Sequence, residues 1–117
     1  MRDDRQNIVV DLTFNFALNI ISYSEKLDSL GKKMIANQIL KSGTSVGANV
    51  REVQNAESKA DFIHKMKIAA KEADETKYWL ELSKHSESYP FEAELYNQII
   101  SIEKVLSKII STSKSNK

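Results

Sequence analysis

Cysteine is absent from the 117 residues. That excludes a disulfide framework, a thiol nucleophile and any Cys-ligated zinc or iron–sulfur centre. It also suits a reducing compartment, so a cytoplasmic location is expected. Proline occurs once and glycine three times. So few turn formers favour long helices over many short strands. A surplus of one charge sign is missing too: 17 basic and 16 acidic residues leave a net charge of +1. The chain therefore lacks the strongly basic tail of many nucleic-acid binders. Long apolar runs are missing as well, because Asp11, Asn15 and Asn19 break the first apolar stretch. A membrane span or export segment, which needs an uninterrupted apolar run, is not expected. Only two histidines are present. A three-histidine zinc site is thus excluded. A carboxylate-bridged di-iron bundle needs two Glu-x-x-His pairs. Asp61 and His64 match that pattern loosely, but His85 has Leu82 three residues before it. No metal or cofactor is expected.

What is present is a globular composition, 41% hydrophobic and 28% charged. The length suits one domain over residues 1–117, large enough to bury about two-thirds of its unfolded surface. Four segments carry apolar residues at helical spacing. The first, about 7–27, aligns Ile8, Leu12, Phe16, Ile20, Tyr23 and Leu27, with Phe14, Ala17, Leu18 and Ile21 on another side. The second, about 32–54, aligns Ile35, Ile39, Val46, Val50 and Val53. Gly43 and Gly47 interrupt it and could break the helix, since an interior glycine costs about 1 kcal/mol relative to alanine. The apolar stripe keeps its phase across them, which predicts a continuous helix with a close neighbour. The third segment, about 58–84, opens with Ser58 and Asp61 spaced as a helix cap. It aligns Phe62, Met66, Ala69, Ala73, Thr76 and Leu80, with Ile68, Trp79 and Leu82 on another side. Pro90 is expected in the first turn of the fourth helix, about 91–111. There Leu95, Ile99, Ile102, Leu106 and Ile109 form a seam. Residues 112–117 are expected to be a frayed tail. Short links between four such helices predict an all-α, antiparallel up-down four-helix bundle.

The sequence carries no recognised catalytic motif. Ser42, Thr44 and Ser45 are nucleophiles by residue type alone, with no nucleophile elbow or Ser-x-x-Lys pattern around them. The run from Gly43 to Gly47 lacks the Gly-Lys-Ser/Thr ending of a phosphate loop. A non-enzymatic protein is expected. Ser45, Asn49 and Glu52 line up beside the apolar stripe of the second helix. A half-buried Asn49 needs hydrogen-bond partners, and Glu72 and Thr76 of the third helix are expected to supply them.

Two runs together carry a resemblance. One is Gln38 to Glu52, with Ser45-Val46-Gly47-Ala48-Asn49-Val50-Arg51-Glu52 at its heart. The other is Asp61 to Leu80, ending Glu75-Thr76-Lys77-Tyr78-Trp79-Leu80. In them, and in overall length and layout, the chain resembles the bacterial four-helix-bundle proteins of the 23S rRNA intervening-sequence type. That resemblance implies assembly into a ring, usually a homopentamer. It also implies kinship with the accessory variability protein of diversity-generating retroelements, a basic ring that binds nucleic acid. RNA is therefore one expected partner, and an unidentified protein recruited by a scaffold is the alternative.

Charge and apolar patterning locate candidate surfaces for both. Residues 29–56 hold Lys32, Lys33, Lys41 and Arg51 against Glu52 alone. These four basic residues are the candidate phosphate contacts, and a second basic excess lies toward the C-terminus. Phe14, Leu18, Ile21, Ile68, Trp79 and Leu82 are the candidate oligomer interface, because an apolar patch exposed on a monomer marks a contact surface. Tilted helices within one bundle could bury them instead.

Overall fold

The computed structural model describes residues 4–115, and side chains from Asn7 onward. It contains four helices, α1 (Asp4–Ser29), α2 (Lys33–Glu52), α3 (Lys59–His85) and α4 (Ala93–Ser115). A short 3-10 turn, Val53–Asn55, closes α2. Each helix packs on its two neighbours in the order α1–α2–α3–α4 and back to α1, with no direct backbone approach across the diagonals. Contacts descend along one helix as they ascend along the next. Gly43 meets Ile20 and Gly47 meets Thr13. Tyr96 bonds Glu81 and Glu103 pairs with Lys77. Glu92 pairs with Lys26 and Gln98 with Asn19. Those registers are the mark of neighbours running in opposite directions.

The ends of the helices follow from local chemistry. α1 stops at Gly31, whose φ of +80° is the left-handed conformation that glycine adopts freely. Lys32 N–H then donates to Leu27 and Gly31 N–H to Asp28, at 2.9 and 3.0 Å, the paired bonds of a Schellman stop. α3 starts at Ser58, whose hydroxyl accepts from Asp61 N–H at 3.0 Å. The Asp61 carboxylate reaches back to Glu57 N–H at 3.0 Å and onward to Lys65. That backbone donor, followed by Lys65, holds the Asp61 carboxyl below its ordinary range. The expected cap is therefore present. The expected role of Pro90 is not: Pro90 lies in the α3–α4 link, and α4 begins at Ala93. The Pro90 carbonyl instead accepts a 2.6 Å bond from the Tyr23 hydroxyl. Helix α4 also runs on through Ser115, past the expected end at 111; residues 116 and 117 of the expected tail lie outside the described ones.

The core row of α4 is the expected one, with Leu95, Ile99, Ile102, Leu106 and Ile109 all buried. In α1 the row differs at its start. Val9, Thr13 and Phe16 are buried, whereas Ile8 is exposed and Leu12 only half-buried. The reason is geometric. Steps of four rotate about 40° each off a straight line at 3.6 residues per turn, so a row of fours winds off the core. Alternating steps of four and three, 9–13–16–20–23–27, hold the line. That places the Thr13 hydroxyl inside, where it donates to the Val9 carbonyl at 2.7 Å.

Helix α2 is continuous through Gly43 and Gly47. Ser42 and Gly43 are buried against their neighbours, and the Thr76 hydroxyl of α3 lies 2.9 Å from the Ser42 hydroxyl. Both side chains also bond within their own helices, to Gln38 and Glu72 carbonyls. Thr76→Val keeps the shape and deletes the link between helices. It should lower stability by about 0.5–1.5 kcal/mol in urea unfolding. Adding Ser42→Ala should cost little more, because a hydroxyl removed with its partner leaves no orphan; a fully additive double variant would refute the pairing.

Candidate interaction surfaces

The four basic candidates are strung along α2 rather than gathered. Lys33 and Arg51 lie 18 residues apart, about 27 Å along the helix axis. Lys33 pairs with Asp28 at 3.1 Å. Lys32 donates to the Ser88 hydroxyl at 3.1 Å and lies over the Tyr89 ring. Lys41, in the middle of the helix, is exposed. Arg51 lies over the Phe14 ring, 5.8 Å from its centre, a cation–π contact between α2 and α1.

That contact borders an apolar face. Phe14 is 51% exposed, Leu18 50% and Ile21 40%. Leu40 of α2, also exposed, was not among the candidates. It stands one residue past the core position Ile39, and apolar pairs next to a stripe are the signal that marks it. Between the two helices runs a groove of about 270 Å³, lined by Val10, Phe14, Ala17, Thr44, Gly47 and Arg51. The small residues on α2 open it, because nothing larger fills the space beside Thr13.

On α3 the three apolar candidates separate. Leu82 is exposed. Ile68 and Trp79 are half-buried, and the Trp79 ring packs against the core of its own bundle. A large ring flanking the core row is long enough to reach it, which is why Trp79 turns inward. The Trp79 indole N–H donates to the Glu75 carboxylate at 3.2 Å.

The expected polar network takes another form. Asn49 donates to the Ser45 carbonyl at 2.8 Å, and the Ser45 hydroxyl donates to Lys41. Both are thereby satisfied within α2. Glu72 contributes to Thr76 only its backbone carbonyl, and Glu52 is exposed. The helix-to-helix link is Ser42–Thr76 instead. Sequence position alone could not choose between Ser42 and Ser45, which differ by less than one turn. The hydroxyls of Ser42, Thr44 and Ser45 all donate to carbonyls one turn back. Among the described residues no cluster of three or more His, Asp or Glu side chains could hold a metal ion, and no helix is long and apolar enough to cross a membrane.

These features define an all-α bundle whose distinctive residues lie on its outer faces and helix seams. The chain belongs to the 23S rRNA-intervening sequence protein family, whose model matches residues 5–110. A solved structure from Bacteroides thetaiotaomicron, described as a protein of unknown function from the S23 ribosomal protein family, superimposes with a TM-score of 0.85. It is 42% identical and covers 92% of this chain and 98% of its own. No curated protein matches the chain. Neither description names a catalytic activity.

Proposed function

We propose that this chain is a non-catalytic bundle that assembles with copies of itself and, assembled, associates with RNA. The observation that carries the assembly is the face of Phe14, Leu18 and Ile21, each at least 40% exposed on the single chain. The adjoining groove extends it onto α2, where Leu40 is exposed as well. Three large side chains in line on one helix are more than the scattered apolar residues of an ordinary surface. The RNA reading draws on the family's description and on the basic excess of residues 29–56. A ring of five, which the family resemblance implies, would repeat each weak basic site around an axis and multiply its effect.

Native mass spectrometry of protein purified at modest salt without nuclease tests both parts. The expected species is a multimer of the 13.3 kDa chain that retains nucleic acid. Replacing Phe14 and Leu18 together by Glu should give a monomer. Its fold should be retained, because both side chains are half exposed and the lost Arg51–Phe14 contact is worth only about 0.5–1 kcal/mol at such a site. A monomeric wild type, or a variant that still forms the multimer, would overturn the assembly. A second reading, a scaffold that recruits a protein partner, is favoured by one observation. Lys32 and Lys33 each already contact a group of the chain, the Ser88 hydroxyl and the Asp28 carboxylate. A bare multimer would select that reading.

A further inference from the structure

Exposed apolar side chains occur on two diagonal helices of the bundle. On α1 they are Leu18 and Ile21, with Leu40 exposed on the neighbouring α2. On α3 they are Tyr78, 54% exposed, and Leu82 one turn further on. Helices α1 and α3 make no direct backbone approach, so the two faces occupy opposite corners of the molecule. The Tyr78 ring leans on Trp79, with ring centres 5.4 Å apart, and Trp79 packs on the core. Tyr78 is thus an exposed aromatic ring already held in place, the kind of residue that anchors interfaces.

The two faces lie at one height along the bundle. Gly43 of α2 meets Ile20 of α1, and the adjacent Ser42 meets Thr76 of α3. Those contacts put Ile20 and Thr76 on one level. Ile21 is one residue from that level and Tyr78 two, about 1.5 and 3 Å of helix rise; Leu40 is three residues from Gly43, about 4.5 Å. The charges at this height are of opposite sign. Lys41, beside Leu40, is exposed. Asp74 and Glu75, about one turn before Tyr78, are exposed too. Lys77 lies 3.9 Å from Asp74 but 3.1 Å from Glu103, so it leaves the outer edge of α3 acidic. The next charges on the two helices, Glu25 and Lys71, stand about 7.5 Å from the common level, in opposite directions.

We propose that copies of this chain pair head to tail, the Leu18, Ile21 and Leu40 face of one against the Tyr78 and Leu82 face of the next, with Lys41 beside Asp74 and Glu75 of that next copy. The pairing rests on the assembly reading above and names the surface that the α1 face meets. Like-with-like contacts would need two different interfaces to cover both faces, whereas one unlike contact covers both. It also sets a cation against carboxylates, which fixes orientation. The molecule measures 50 × 21 × 19 Å. One long side therefore offers roughly 1,000 Å², above the ~800 Å² per partner of a standard interface. Because the two faces are level, successive copies need not climb, and a closed assembly is favoured over a filament.

The test uses two variants, each spoiling one face. Leu18→Glu/Ile21→Glu disables the α1 face and Tyr78→Lys/Leu82→Lys the α3 face. A lysine at 78 stands four residues after Asp74, a spacing that supports the helix. Circular dichroism checks both, and Tyr78→Ala replaces the α3 variant if its helicity falls. Native mass spectrometry at tens of micromolar protein should show each variant alone as a monomer. Their mixture should form a one-to-one dimer of the two different masses, through the face that each retains. Adding Lys41→Glu to the α3 variant should weaken that dimer about tenfold or more, because like charges then meet. The same change added to the α1 variant should leave it unaltered, since that copy's α1–α2 face is not in the contact. A multimer from either variant alone, or a mixture that stays monomeric while wild type assembles, would overturn the pairing and leave the assembly reading standing. A monomeric wild type would overturn both.

Discussion

Tyr23→Ala should destabilise the fold by about 3–5 kcal/mol, the range for emptying a buried aromatic site. Tyr23 is among the largest fully buried side chains, and its hydroxyl donates to the Pro90 carbonyl at 2.6 Å. It therefore fills the core and ties α1 to the α3–α4 link. A total stability of about 5–15 kcal/mol is usual for a domain, so the loss is a large share of the whole. Tyr23→Phe separates the two roles. It keeps the ring and orphans the Pro90 carbonyl, at about 1–3 kcal/mol.

The same residue imposes a pH dependence. Burial pushes the Tyr23 phenol above its ordinary 10.0, Glu92 adds to the rise and Ser83 opposes it. The folded state thus holds this proton at pH values where the unfolded chain has released it. The contribution is fully present below the unfolded value near 10 and is lost as pH rises through the folded value. Unfolding midpoints in urea should fall more steeply above pH 10 in wild type than in Tyr23→Phe. Parallel curves for the two proteins would show that the phenol does not titrate as an interior group.

Gly43→Ala is the second large effect, and its sign opposes helix propensity. Alanine in a helix interior is worth about 1 kcal/mol over glycine. A Cβ on Gly43, however, would lie 2.8 and 2.9 Å from the two γ carbons of Ile20. Those atoms sit on a β-branched side chain, stiff at its first torsion, and not at a flexible tip. Overpacking of this kind costs about 1–3 kcal/mol, so Gly43→Ala should still lower stability, by about 1–2 kcal/mol net. Gly47→Ala provides the contrast. Its nearest atoms, all on Thr13, lie at 3.3–3.4 Å, and the variant should be neutral or slightly more stable. Ile20→Ala combined with Gly43→Ala should be less destabilised than the two costs added, a coupling that urea unfolding can read. A stabilised Gly43→Ala would mean that α1 and α2 lie farther apart than the contact shows.

The two glycines show where sequence reading reaches its limit. That α2 passes through them unbroken was legible in the unbroken phase of Ile39, Val46 and Val50. That Gly43 carries the close approach and Gly47 does not was illegible, because both lie on the same side of the helix and only the position of Ile20 separates them. The outer apolar face divides in the same way. Phe14, Leu18 and Ile21 are exposed as their spacing implied. Trp79 has a similar pattern on α3, yet packs on its own core, because the reach of a side chain matters as much as its direction. The α2 basic residues were visible as a charge excess. Their partners, Asp28, Ser88 and the Phe14 ring, come from other segments or across a turn, which composition does not order.

Helix number, helix type, the stop at Gly31 and the start at Ser58 were determined by the sequence alone. These features depend on residues within about four positions of one another, where side-chain period and capping chemistry act directly. The row of five apolar residues on α4 belongs with them, since its spacing leaves one face for a core. The tertiary structure alone decided which hydroxyl bridges α2 and α3, which link residue caps the end of Tyr23, and that Gly43 rather than Gly47 meets Ile20. Each of these depends on the register of two helices. Register is set by the summed packing of the whole core, so no local pattern encodes it.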